Sequence, residues 1–342
     1  MSTLETNSIG KYNGNNVSID DALRFKNYTT TQRDALTSVA GDTIFNTTTS
    51  KVEYYDGSAW QETGGVDAFS IEYLIIAGGG GASSHDDTSH GAGGAGGYLC
   101  NVSGENSGGN TSAQPTLFIP KSTNLQVTIG AGGGPNTAGT KSEFTSIMSI
   151  GGGTPRVATY NSAGSAGSPN GRTSGGPTSA ITNNIAGQGS ASGRGFTTNG
   201  AGGAGGAGAA GSDGANQTGG AGGAGLASSI TGSSVTRGGG GGGGSSGTGG
   251  AGGSGGGGAG GSGINSNGTS GSANTGGGGG GSGNGTGGTT GSGGSGIVIL
   301  RWATADATIG GTRSGLTDGG VQTDGSDSYI VFTAGTGTVT FS

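Results

Sequence analysis

Cysteine occurs once in this chain, at Cys100, so neither a disulfide framework nor a cysteine-based metal site can be built from it. Proline is scarce, 6 in 342 residues, which removes the stiffener that a collagen-like triple helix needs. Cationic side chains are few. The 13 Lys and Arg against 19 Asp and Glu leave a formal net charge of -6, and no basic stripe exists to hold nucleic acid. Aromatic residues make up 5% and all hydrophobic residues 28%, so side chains can fill only small local cores. No run approaches the ~20 apolar residues of a membrane span. The start, Met1-Ser2-Thr3-Leu4-Glu5-Thr6-Asn7, lacks the charged and apolar regions of a signal peptide. The expectation is synthesis in a cytosol and no membrane insertion.

What is abundant is glycine, 92 residues concentrated between Gly78 and Gly296. The apolar run Ile71-Glu72-Tyr73-Leu74-Ile75-Ile76-Ala77 leads in, and Gly296-Ile297-Val298-Ile299-Leu300-Arg301-Trp302 leads out. Strand formers on both sides predict a glycine body held on a folded base.

Composition divides the chain into four segments. Residues 1–66 are ordinary in composition and predict a small β-meander with a short helix. Thr31-Gln32-Arg33-Asp34-Ala35-Leu36 reads as a helical turn capped by Thr31, with the acid Asp34 three positions on. Thr43-Ile44-Phe45-Asn46 and Lys51-Val52-Glu53-Tyr54-Tyr55 read as strands, followed by an Asp56-Gly57 turn and Ala59-Trp60-Gln61. So small a meander is marginal alone, which points to attachment or oligomerisation. Residues 67–150 predict strands over 71–77, 98–102, 116–119, 125–130 and 143–150, mixed with the first glycine runs. Residues 151–296 are glycine-dominated, and residues 297–342 return to strands at 297–302, 328–334 and 338–342. Cys100, beside Tyr98-Leu99, reads as a small buried filler.

The glycine region admits three structures: a flexible linker, a collagen-like helix, or a packed bundle of extended three-residue-per-turn helices. The Gly-X-Y period is broken everywhere, against collagen. An extended glycine helix makes no internal hydrogen bonds, so every N–H and C=O points toward its neighbours. Without a Cβ, those neighbours approach closely enough to bond. Ala201-Gly202-Gly203-Ala204-Gly205-Gly206-Ala207 keeps a period of three that puts Ala on one edge; residues 219–225 repeat it, and residues 249–263 do so less strictly. Ordering a residue costs about 1–2 kcal/mol and a net backbone hydrogen bond contributes about 0.5–1.5 kcal/mol, so one segment cannot form alone while a bundle with many lateral bonds can. Ser212-Asp213, Asn216-Gln217-Thr218 and Asn265-Ser266-Asn267 are expected at turns. The fold expected is therefore all-β with a polyglycine II helix bundle: a small N-terminal β-meander with a short helix, a β-sheet base and the glycine-rich bundle.

Apparent chemical motifs are weak. The GxGxxG spacing at Gly200–Gly205 follows from composition and does not open a helix after a strand. Gly134-Pro135-Asn136-Thr137-Ala138-Gly139-Thr140-Lys141-Ser142 resembles a phosphate loop with one residue too many and reads as a plain loop. His85-Asp86-Asp87-Thr88-Ser89-His90 holds both histidines and could ligate a metal, but reads as an exposed loop at the far end of the first glycine hairpin. No nucleophile–base arrangement or acid/base pair is in place, so no enzyme, metal or cofactor is expected.

Three stretches carry a family resemblance. The first runs from Thr31 to Leu36, then Gly41-Asp42-Thr43-Ile44-Phe45-Asn46-Thr47-Thr48-Thr49 and Glu53-Tyr54-Tyr55-Asp56-Gly57-Ser58-Ala59-Trp60, and looks like a segment recurrent in phage virion proteins. The second, Glu72-Tyr73-Leu74-Ile75-Ile76-Ala77-Gly78-Gly79-Gly80-Gly81, and the third, Gly293-Gly294-Ser295-Gly296-Ile297-Val298-Ile299-Leu300-Arg301-Trp302, bracket the glycine region. Together they resemble glycine-rich tail fibre proteins and adhesins of tailed bacteriophages. The resemblance implies a polyglycine II tip whose loops touch a host-cell receptor, a glycan or an outer-membrane protein. It implies a virion location and contacts with other tail or baseplate proteins; the thin N-terminal segment points to a homotrimer, with a monomeric tip as the alternative. Similar glycine-rich folds occur in animal receptor ectodomains, which a signal peptide and disulfides would accompany.

Recognition needs side chains that offer surface and hydrogen bonds. The loops expected to supply them are 83–90, 135–141, 154–161, 169–185 and 194–196, with His85, Asp86, Asp87, His90, Arg156, Tyr160, Arg194 and Phe196 as candidate receptor contacts. Tyr160 and Phe196 have the alternative of plugging the bundle ends. A purely structural virion spacer and a bacterial surface adhesin are the other functional readings.

Overall fold

The computed structural model describes residues 25–63, 68–83, 90–155, 186–196, 199–310 and 313–342. The chain forms two compact units, residues 1–67 and 68–342.

In the first unit, strands Asn27–Tyr28, Thr43–Asn46, Lys51–Tyr55 and Trp60–Glu62 form one sheet in that order; the first pair is parallel and the rest antiparallel. The helix Thr30–Asp34 has its cap two residues before the expected one. Thr29 takes that role, its hydroxyl accepting from the Gln32 amide while the Gln32 side chain accepts from the Thr29 amide. Asp34 instead pairs with Arg33. Arg33 also reaches across to Glu53, 2.8 Å away and only 2% exposed. Asn46 and Thr49 donate to the same carboxylate at 2.9 and 3.1 Å, so a buried charge is fully partnered.

The second unit is founded on the antiparallel pair Ala68–Ile76 and Ile297–Ala303, registered Ile76 to Ile297 and Tyr73 to Leu300. Strand alternation sends Ile71, Tyr73, Ile75, Val298 and Leu300 to one face, and Leu74, Ile76, Ile297 and Ile299 to the other. The first face packs on Phe144, Trp302, Ile330, Phe332 and Phe341, with the Trp302 and Phe341 rings 5.1 Å apart and edge-on. The second meets Tyr98, Cys100, Ala207 and Ile230, so Cys100 is the buried filler expected of it. A 15-residue strand, Asp327–Phe341, pairs with Ile297–Ala303, Leu125–Thr128, Leu316–Asp324 and Ile309–Gly310.

Strand boundaries differ from expectation at identifiable points. The two C-terminal strands are one, continuous through Gly335. Residues 143–150 are a hairpin, Ser142–Phe144 with Ile147–Ser149, because Thr145 adopts a left-handed φ of 55° at the turn. A second hairpin, Leu226–Ser228 with Val235–Arg237, lies inside the glycine region and brings Ile230 into the core.

The glycine segments are laterally hydrogen-bonded passes with a period of three in their partners. In residues 77–83 the amides of Ala77, Gly80 and Ser83 donate to Gly97, Gly94 and Gly91. Those of Gly78 and Gly81 donate to Thr140 and Thr137, and those of Gly79 and Ala82 to Gly294 and Gly291. The carbonyls of Gly78, Gly79 and Gly80 accept from Gly152, Gly133 and Gly279. Six different segments therefore bond this one pass. A β-strand has only two bonded neighbours and a period of two. A period of three is what an extended three-residue turn produces. Ala201, Ala204 and Ala207 likewise donate to Gly244, Gly241 and Gly238, and all three are fully buried on one edge. Ser212 and Asp213 lie within a pass, Ser212 donating to Ala221, and not at the expected turn.

Candidate functional site

Each pass runs from the sheet to a remote end of the second unit, where the chain reverses. Among the described residues, reversals there fall at 134–137, 215–218, 245–248, 262–266 and 283–288, and Phe196 pairs with Gly200 across a further one. Single bridges link some of them: Phe196 to Gly200, Gly200 to Ser245, Ser245 to Ser262, Ala215 to Thr218, and Thr218 to Thr248.

The turn residues follow from backbone need. Asn136, Asn199, Gln217 and Asn265 have φ of 61°, 64°, 52° and 58°, the left-handed region that Asn tolerates best after glycine. Their amide side chains come with that choice. Asn265 uses its oxygen to accept from the Gly287 amide at 2.9 Å, tying two turns together. Among the described residues, the surface presents amides and hydroxyls, the exposed guanidinium of Arg194, and the large apolar groups Phe196 at 39% and Ile264 at 72% exposed. Arg194 is held through its backbone, its amide donating to the Asp213 carboxylate at 2.6 Å and its carbonyl accepting from Gly214 at 2.8 Å.

The candidate residues divide three ways. Arg194 and Phe196 lie on this surface, in neighbouring positions of one turn. His85, Asp86, Asp87, Arg156 and Tyr160 lie outside the described residues, as does the 169–185 loop. His90 departs from the expected exposed loop: it is 3% exposed and belongs to the bundle. Its amide donates to Ser282, three residues before Gly93 donates to Gly279 and six before Gly96 donates to Gly276, and its Nδ1 meets the Ser282 hydroxyl. The period of three reaches it because the pass begins one turn earlier than the glycine run suggests. In the 135–141 loop, Thr137 and Thr140 are bundle positions, bonded to Gly81 and Gly78. Ile264 was not singled out; a lone bulky residue in Gly263-Ile264-Asn265 was the available signal.

Two clefts lie elsewhere in the second unit. One of about 510 Å³ is lined by Asn101, Glu105, Asn106 and Gln114 among others. Two of its polar groups are engaged internally: Asn101 bonds the Tyr73 amide and the Ile71 carbonyl, and Glu105 bonds Ser229 and the Cys100 thiol. A second, about 210 Å³, surrounds Arg301, which pairs with Asp327 at 2.7 Å and Asp324 at 3.1 Å. Burial pushes the Cys100 thiol up to about 12 and raises the Glu72 carboxyl, against the pull of Arg301. No group of three or more His, Cys, Asp or Glu able to hold a metal ion occurs among the described residues. No helix among them is long and apolar enough to cross a membrane.

Comparison with known proteins agrees with the glycine architecture. A family model described as a glycine-rich domain matches residues 56–303, from the end of the first unit to the strand that leaves the bundle. No curated protein and no solved structure matches the chain. Since that match covers most of the 342 residues, the chain belongs to the glycine-rich domain family.

Proposed function

We propose that this chain is a receptor-binding tail fibre protein of a bacteriophage, adhering to the host surface through the turns at the remote end of its glycine bundle. The bundle is then a set of polyglycine II helices, supported by the period of three in its hydrogen-bond partners.

One observation carries the reading: the body and the turns obey opposite rules for side chains. A Cβ added at Gly79, Gly241 or Gly279 would stand 2.1 Å from a neighbouring carbonyl oxygen, which excludes any residue but glycine. At the turns the same chain carries Arg194, Phe196, Asn216, Gln217, Ile264 and Asn265. A rigid body whose side-chain variety is confined to one end suits a surface that recognises something there. The receptor is a glycan or an outer-membrane protein, and the amide- and hydroxyl-rich turns suit either. The first unit attaches the chain to other tail or baseplate proteins as a homotrimer in the virion, after synthesis in the host cytoplasm. The protein works by binding and not by catalysis.

The test is binding of the purified protein to whole host cells, with competition against phage adsorption. Saturable binding that blocks adsorption is expected. Replacing residues 154–161 by Gly/Ser, or combining Phe196→Ser with Ile264→Ser, is expected to abolish it. Absence of binding to every host that the phage infects would overturn the adhesin reading in favour of a structural spacer.

A further inference from the structure

An asparagine followed by glycine has a side-chain amide open to attack by the next backbone nitrogen, because glycine carries no Cβ to shield that nitrogen. Two such pairs share a local sequence, Asn267-Gly268-Thr269 and Asn284-Gly285-Thr286. Their surroundings differ. At Asn267 both reacting groups are tied to one residue: the side-chain oxygen accepts from the Thr289 amide at 2.9 Å, and the Gly268 amide donates to the Thr289 carbonyl at 2.9 Å. Asp213-Gly214 is clamped in the same manner, the carboxylate accepting from the Arg194 amide at 2.6 Å and the Gly214 amide donating to the Arg194 carbonyl at 2.8 Å. In a further pair, Asn199-Gly200, the glycine is buried.

Asn284 lacks that clamp. Neither its side chain nor the Gly285 amide makes a hydrogen bond among the described residues. The peptide that joins the two is held at its oxygen, which accepts from the Asn265 amide at 2.6 Å. A hydrogen bond there draws charge from the peptide nitrogen and eases loss of its proton. Gly285 has a φ of 98°, so the turn itself calls for glycine after Asn284 and the labile pair follows from backbone need. Asn284 and Gly285 are half-buried and Thr286 and Gly287 are exposed, so water reaches the turn.

We propose that Asn284 is a site of spontaneous self-modification, deamidating through a cyclic imide, while Asn267 is kept intact by its clamp to Thr289. Base removes the Gly285 amide proton and the nitrogen bonds the Asn284 Cγ. The bond from Cγ to the side-chain nitrogen then breaks, and ammonia leaves. Water adds to either imide carbonyl and opens the ring, giving aspartate or isoaspartate. Both products place a new carboxylate at the remote end of the bundle. Isoaspartate also adds a methylene to the main chain beside the Asn265–Asn284 bond, and Asn265 in turn accepts from Gly287. The reaction therefore alters the turn that braces Ile264.

Peptide mapping of the full chain tests this, after incubation at pH 8 in native buffer and, separately, in denaturant. Mass spectrometry follows loss of the amide at each asparagine, and fragmentation separates aspartate from isoaspartate. In the native chain Asn284 is expected to react about tenfold faster than Asn267 or more, since the two bonds at Asn267 must open first. In denaturant the two are expected to react at similar rates, because Gly-Thr follows both. Equal native rates, or a faster reaction at Asn267, would overturn the proposal. A native difference that persists in denaturant would overturn it equally, since the flanking sequence and not the fold would then be its cause. Asn284→Gln, whose longer side chain would have to close a larger ring, is expected to abolish the modification of this turn. A mass gain in its peptide at the wild-type rate would overturn the assignment to Asn284.

Discussion

The Gly79 amide donates to the Gly294 carbonyl at 2.9 Å, joining the first glycine pass to the last. Ala82 and Gly291 repeat the contact three residues along. These passes continue directly from the paired strands Ala68–Ile76 and Ile297–Ala303, so the sheet sets the register in which the bundle closes. Everything between them is laid down as a closed circuit, which explains why strand formers flank a region with almost no side chains of its own.

Close packing of this kind makes glycine identity a steric requirement. A Cβ on Gly279 would stand 2.1 Å from the Gly291 oxygen, with backbone on all sides and no flexible group to give way. Gly279→Ala is expected to destabilise by about 3 kcal/mol, the upper part of the range for overpacking a tight interior. Ser254→Ala on the exposed edge should change stability by no more than about 0.5 kcal/mol. Denaturant midpoints of the two variants measure the contrast.

Much of this architecture was legible in the sequence, and the exceptions are physical. Alternation in Leu125–Thr128 and the apolar runs around Ile75 and Ile299 marked the sheet because side-chain period is a local property. The Ala period at 201, 204 and 207 marked a pass for the same reason. Turn positions were less visible: Ser212-Asp213 has turn composition, yet the bonds of Ser212 to Ala221 and Gly203 hold it in a pass. Which glycines face inward, and that His90 is among the buried residues, depends on neighbours distant in sequence. Of the candidate contacts that the structure describes, Arg194 and Phe196 were legible because they interrupt a glycine run with bulk and charge.

Acid stability of the first unit should depend on Glu53. Burial acts to raise its carboxyl, but hydrogen bonds from Arg33, Asn46 and Thr49 outweigh that and hold it below the ordinary value. A depressed folded value means the stabilisation is complete above the unfolded carboxylate range of about 4.3 and is lost as pH falls through the lower folded value. Arg33 shifts the opposite way, upward, and stays charged throughout. Glu53→Gln is expected to cost the unit about 3 kcal/mol at neutral pH, because it leaves Arg33 without its buried partner, and to flatten the acid limb. The Trp60 indole resonance followed through thermal unfolding at pH 3 to 7 reports both.

The Cys100 thiol, fully buried and pushed up to about 12, is expected to resist alkylation in the native protein at pH 7.5. Unfolding in denaturant should expose it to stoichiometric labelling. Mass spectrometry of maleimide-treated native and unfolded protein checks this, and rapid native labelling would mean that the core around Tyr98 and Ile230 opens readily.

The most direct test of a backbone-bonded glycine body is amide hydrogen exchange resolved along residues 78–296. The bonded amides of Gly79, Gly93, Gly241 and Gly279 are predicted to be protected to the level of the core strand Ile297–Ala303, while the open amides of Ala251 and Ser270 exchange orders of magnitude faster. Uniformly fast exchange across the glycine region, with protection confined to the flanking strands, would contradict the account and return the region to a solvated linker.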